Sequence, residues 1–210
     1  MSKQDVLSLL NEKLSDNNIQ LLEENILKEW VTVEGYFNKR LEKYTSIKIV
    51  LLGEATVNAK NYLLNQDSVI TTSFLEPNHF GQETKQELNQ FLIENGILPF
   101  DLYAVPLPTF IYDNIKFKFN DEKTDKLYIE HLHKHFFTLK QKIVPNQVKL
   151  IMRYTKLKKR REWKLFKEYF ADSFGNLDSN ILDISKNIRA SEDKIKKHFG
   201  HLINDAHNRH

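Results

Sequence analysis

The sequence predicts an α/β fold of three layers, with a four-stranded parallel sheet between helices and a helical extension ahead of it. Three observations predict this. Four short apolar runs are separated by stretches of helical periodicity, the pattern of βαβ crossovers. The first run, Ile47-Lys48-Ile49-Val50-Leu51-Leu52-Gly53, is almost unbroken, as in a strand buried on both faces. The segment ahead of it, residues 1–45, carries helical spacing throughout. The expected division is therefore a helical extension at 1–45 and an α/β domain at 46–210.

Taken in order, Val6, Leu9, Leu10 and Leu14 predict a helix over 3–14. Leu21, Leu22, Ile26 and Leu27 continue the spacing, with Trp30 after them. A third amphipathic stretch, from about Thr32 to Tyr44, sets Phe37, Leu41 and Tyr44 on one face. After the first strand, Gly53-Glu54-Ala55-Thr56 reads as a tight turn into a helix through Tyr62 and Leu64. Residues 65–82 read as a long loop, and 83–95 as a helix stopped by Asn95-Gly96. The second strand is expected at Phe100–Pro106 and a helix at 124–143, broken by Pro145-Asn146. Val148–Met152 reads as the third strand, 161–171 as a helix, and Asn180–Ile184 as the fourth strand. Ser191, with Glu192 and Asp193 behind it, is an N-cap signal for a last helix.

Composition removes several classes of function. With no cysteine there is no disulfide framework, no thiolate nucleophile and no Cys-ligated metal. The N-terminus meets Asn and Glu too early for a signal peptide, and no run approaches the roughly 18 apolar residues of a membrane span. A cytoplasmic location without a membrane partner is the expectation. Six glycines scattered over the chain form no phosphate loop. The formal net charge is only +3, but its distribution is uneven. Residues 141–210 hold 16 Lys+Arg and 8 Asp+Glu, whereas residues 1–140 hold 15 and 20. A basic face for an anionic partner follows from that asymmetry.

In an open parallel sheet, ligands bind beyond the carboxyl ends of the strands. The segments to inspect are 53–61, 106–113, 153–161 and 185–191. Within them, Lys156, Lys158, Lys159, Arg160 and Arg161 form a basic run followed by Trp163 and Lys164. Such a run binds phosphates in a salt-sensitive, sequence-independent way, or else opens an amphipathic helix with a solvated face. Glu54 is either a functional carboxylate or the first-turn acid of the following helix. His131 and His135 stand at i and i+4, a zinc-compatible spacing, but no third ligand is evident and Lys134 disfavours a cation. A solvated helix face is the expected reading there, with no metal and no cofactor. His79 sits in a loop segment, where it pins the loop or serves a site. Trp163, Phe166, Tyr169 and Phe170 read as core rather than as a stacking platform.

The order of these parts resembles the uracil-DNA glycosylase superfamily and its uncharacterised bacterial relatives. The parts that carry the resemblance are an apolar strand ending in Leu52-Gly53-Glu54-Ala55, then Asn61-Tyr62-Leu63-Leu64, and a second strand ending in Val105-Pro106-Leu107-Pro108. Two further strands follow, then a helix bearing Phe199, so the resemblance covers about residues 47–203. Gly53-Glu54-Ala55 looks like the start of the Gly-Glu-Ala-Pro-Gly signature of the thermophile-type enzymes. Thr56 stands where that signature has Pro. Ala55 stands where other branches carry the Asp or Asn that places the hydrolytic water. Ser185-Lys186-Asn187-Ile188-Arg189 stands where the superfamily has a His-Pro motif.

The resemblance implies binding of nucleic acid, DNA above all, or of a nucleobase, with glycosylase activity absent or changed. Glu54 would orient water, and Lys186 or Arg189 would stabilise an anionic leaving base. Tyr62, Phe110 and Tyr112 are candidates for the stacking ring, and Asn58 and Asn61 for the reader of the base edge. Gly53, Pro106 and Asn187 complete the frame of the pocket. Two alternatives stay open: a non-enzymatic interaction module whose N-terminal helices meet a partner, and an enzyme acting on a small anionic metabolite.

Overall fold

Ser2 opens the first helix, α1 (Lys3–Ser15), by a reciprocal cap. Its hydroxyl accepts from the Asp5 amide at 3.1 Å, and its own amide donates to the Asp5 carboxylate at 2.7 Å. These bonds hold the Asp5 carboxyl below its ordinary range. The computed structural model describes residues 2–15, 18–55, 90, 92–103, 105–106, 122–143, 148–152, 158, 161–174 and 181–183.

The second helix, α2 (Glu23–Glu42), is continuous through the point where two separate amphipathic stretches are predicted. Trp30, Val33, Phe37 and Leu41 recur at helical spacing on one buried face, so no break is imposed. Gly35, inside it, has nothing within 4 Å of where a Cβ would sit and acts only through propensity. Glu23 joins the two helices, accepting from the amides of Gln4 and Asn11, while Asn11 Oδ1 accepts from the Leu21 amide at 2.6 Å.

Next come β1 (Ile49–Ala55), β2 (Ile97–Tyr103), α3 (Glu122–Lys140), β3 (Lys149–Met152), α4 (Arg161–Phe174) and β4 (Ile181–Asp183). The architecture is mixed α/β with a parallel sheet. β1 pairs with β2 from Ile49↔Ile97 to Ala55↔Tyr103, and with β3 from Ile49↔Lys149 to Leu52↔Met152. The three-residue β4 pairs with β3, also in parallel. The order across the sheet is β2-β1-β3-β4.

Two strands depart from their predicted bounds. β1 runs two residues further, so Gly53-Glu54-Ala55 is strand and not a tight turn. At backbone level, therefore, Glu54 is not the first-turn acid of a helix. β2 begins at Ile97 instead of Phe100 because Gly96 turns directly into the ladder. Its φ is +65°, and its carbonyl accepts from the amides of Lys48 (2.8 Å) and Ile49 (3.1 Å). Pro99 is tolerated within β2 because that strand is the margin of the described sheet. Of the helix predicted at 83–95, residues 90 and 92–94 are described as helix; the rest of that segment up to 91, the loop predicted at 65–82 and the helix predicted after Ser191 lie outside the described residues.

Alternation along the strands separates two faces. Val50, Leu52, Leu98, Phe100, Leu102, Leu150 and Met152 join the apolar sides of all four helices in one buried core. α1 and α2 share that core with the sheet, through Leu7, Leu10, Trp30 and Phe37 among others. Ile49, Leu51 and Ile97 are buried as well, so the sheet is covered on both faces. Trp163, Phe166, Phe170 and Phe174 of α4 are core residues. The Tyr44 hydroxyl, buried at the end of α2, donates to the Ile97 carbonyl at 2.6 Å and ties the helix to the start of β2.

Gly96→Ala is expected to destabilise the chain by about 1–2 kcal/mol from the left-handed backbone alone. A Cβ there would also lie 2.9 Å from the Ser46 carbonyl oxygen. The midpoint of chemical denaturation measures this, with Gly35→Ala as a control that should be neutral or stabilising.

Candidate functional site

From β1 the chain goes to β2 on one side, then returns past β1 to β3 and β4 on the other. The order therefore reverses between β1 and β3. In a parallel α/β sheet the crevice beyond the carboxyl ends of those two strands is where ligands bind, because the crossovers diverge there. Gly53, Glu54 and Ala55 end β1 on one side of it, and Met152 ends β3 on the other. The chain then reaches the predicted basic run and enters α4 at Arg161.

Of the predicted site residues, Gly53 is buried and paired with Asp101. Glu54 lies in β1 by its backbone, Pro106 is buried just after β2, and Lys158 is exposed. Arg161 is the first residue of α4. Asn58, Asn61, Tyr62, Phe110, Lys186, Asn187, Arg189, Lys156, Lys159 and Arg160 lie outside the described residues, as do His79 and Tyr112. So the fold brings Gly53 and Glu54 to the reversal point with the strand that leads into the basic run. It brings Pro106 to the neighbouring strand end.

Asp101 is a residue that sequence reasoning alone does not single out. It is 5% exposed, an acid near the carboxyl end of an otherwise apolar strand, in register with a glycine that offers no side chain. A lone Asp within Ile97–Tyr103 is the one signal the sequence carries. Its backbone carbonyl has a second task, facing His135 Nε2 at 3.2 Å.

The expectation of a solvated histidine face on α3 is overturned. His133 and Lys134 are exposed, but His131 and His135 turn toward the core. The His135 ring stacks on Phe100 with centroids 4.5 Å apart and planes at 15°. His131 meets Trp30 edge-on at 4.6 Å. The i, i+4 spacing that suits a metal equally suits an apolar helix face, and here the aromatic neighbours decide. Among the described residues, no group of three or more His, Asp or Glu side chains is gathered as a metal would need. Burial lowers both rings, His131 to about 3 and His135 to about 4. For His131 the positive charges of His135, Lys3 and Lys134 add to that effect.

No family model, curated protein or solved structure matches the chain. No helix among the described residues is long and apolar enough to cross a membrane.

Both imidazoles hold a proton less readily in the folded chain than in the unfolded one, whose histidines titrate near 6.5. Stability is therefore fully present above that value and falls as the pH drops toward 4. Over that window unfolding should take up as many as two protons on their account, read as the slope of unfolding free energy against pH.

Proposed function

We propose that the chain is a nucleic-acid- or nucleobase-binding protein of the uracil-DNA glycosylase-like kind, with a full fourth strand in its sheet and with glycosylase chemistry absent or altered. The observation that carries this reading is the strand order β2-β1-β3-β4. It makes the end of β1, with Gly53 and Glu54, the neighbour of the strand that feeds the basic run.

The chemistry follows from what this motif holds. Cleaving an N-glycosidic bond needs an oriented water, stabilisation of a cationic sugar centre and stabilisation of the departing base anion. Ala55 supplies none of these, so a surviving reaction would draw on the Glu54 carboxylate for water and sugar. Lys186 or Arg189 would offset the charge of the base. If neither is engaged, the same crevice binds without cleaving. In both cases Lys156, Lys158, Lys159, Arg160 and Arg161 contribute the phosphate contacts, and cations displaced from the nucleic acid supply much of the free energy.

A second reading, an interaction module, is favoured by one observation. Leu22 at the N-cap of α2, Val31 and Tyr36 along it, and Phe137 of α3 are large apolar side chains left exposed.

Binding to a DNA oligonucleotide is expected to weaken steeply between low and moderate salt. Replacing Lys158, Lys159, Arg160 and Arg161 together by Ala should flatten the plot of log affinity against log salt by up to about 0.9 for each phosphate no longer neutralised. No measurable DNA affinity at low salt would remove this reading and leave the interaction module. For catalysis, release of free uracil from a uracil-containing oligonucleotide should be lost in Glu54→Gln. Equal release by both proteins would clear Glu54 of the role.

A further inference from the structure

The seam between α2 and α3 is built on two imidazoles. Trp30 and Phe37 lie two turns apart on α2, and His131 and His135 one turn apart on α3. His131 packs edge-on against Trp30 at 4.6 Å, and His135 lies 5.3 Å from Phe37 while it stacks on Phe100 of β2. Its polar contact is with the Asp101 carbonyl, to which a neutral ring donates from Nε2. His131 Nε2 and Trp30 Nε1 are both shielded from solvent, and neither has a hydrogen-bond partner in the structure.

The geometry points to an acid-sensitive latch: His131 and His135 hold α1 and α2 against α3 and β2 only while both rings are neutral, and protonating them frees the two N-terminal helices before the sheet comes apart.

Lys3 and Lys134 oppose a proton on His131, and burial opposes one on His135 more than the Asp101 carbonyl favours it. From α1, Lys3 sits over the Trp30 ring at 5.6 Å, so the aromatic face that could attract an imidazolium already holds a cation. From α2, Glu34 is drawn to Lys3 at 2.6 Å, and Arg40 lies against Tyr44. On α3 itself, Lys134 adjoins the pair, and Glu130 is exposed. From β2, Asp101 offers its carbonyl, and strand alternation turns its carboxyl to the face opposite Phe100. α4 meets α3 through Phe166, Tyr169 and Phe170, with Lys140 against Tyr169.

A proton on His131 would be repelled by Lys3, Lys134 and a charged His135, and its Nε2–H would be a buried charged donor. The lowering of both rings by burial agrees. The backbone ladders among β1, β2 and β3 involve neither ring, so they have no direct reason to open at the same pH.

The test uses the full chain with Trp163→Phe, which leaves Trp30 as the one tryptophan reporter. Amide hydrogen exchange, corrected for intrinsic rates, is followed from pH 7 to pH 4 together with Trp30 emission. Residues 3–42 should lose about tenfold or more of their protection while 49–52, 97–102 and 149–152 keep theirs. Trp30 emission should move to the red over the same range. The logarithm of protection over 3–42 should fall with a slope between one and two protons. The double variant His131→Phe, His135→Phe should keep its protection at pH 4; should it fail to fold, the slope in the Trp163→Phe chain decides. Helices and strands opening together, a slope near zero, or a folded double variant opening at the same pH would overturn the latch.

Discussion

Phe100 joins the sheet to three helices. Its ring touches Phe37 of α2, His135 and Phe136 of α3 and Phe166 of α4, at centroid distances between 4.5 and 6.3 Å. Because it sits in β2, in register with Leu52 of β1, it also fixes the height at which those helices meet the strands. Aromatic pairs of this kind contribute about 0.5–1.5 kcal/mol each beyond the burial of their area. The imidazole of His135 is part of that cluster as a planar ring, and its polar contact with the Asp101 carbonyl fixes the ring's orientation. Where α3 lies is therefore decided by aromatic packing with a polar pin.

The two faces of the sheet have different work. Residues of the Phe100 face are large and apolar, and α1, α2, α3 and α4 join them in one core. The other face carries Gly53 and Asp101 side by side near the carboxyl ends. A glycine beside a buried acid adds little to packing, and it lies next to the place where the strand order reverses. Strand alternation thus keeps Asp101 off the aromatic face, while Ile49, Leu51 and Ile97 carry apolar packing on its own face.

Much of the architecture was legible in the sequence, for identifiable reasons. The unbroken apolarity of Ile49–Leu52 and the helical spacing of Val6, Leu10 and Leu14 are local signals, and each marks its element. Strand limits were less legible because they depend on partners. Glu54 is strand because Asp101 and Tyr103 flank it across the ladder, and nothing in Gly53-Glu54-Ala55 alone announces that. The direction in which His131 and His135 face was hidden for the same reason: it depends on Trp30 and Phe100, which are distant in the chain. At the site, the basic run was visible as composition. That the strand leading into it lies beside β1 required the strand order. Asp101 was hidden because a lone acid in an apolar run reads as a strand end until its burial is known.

The position of β1 bears on how the chain is made. Ile49 needs Ile97 on one flank and Lys149 on the other. During synthesis from the N-terminus, this innermost strand emerges early and stays open on at least one side until residues 149–152 leave the ribosome. Until Phe100 and Phe136 emerge in their turn, α1 and α2, joined by Asn11 and Glu23, lack the aromatic surface they cover. A nascent chain released only to the end of β1 therefore exposes greasy helices and an unzipped strand together, the kind of surface that holding chaperones cover.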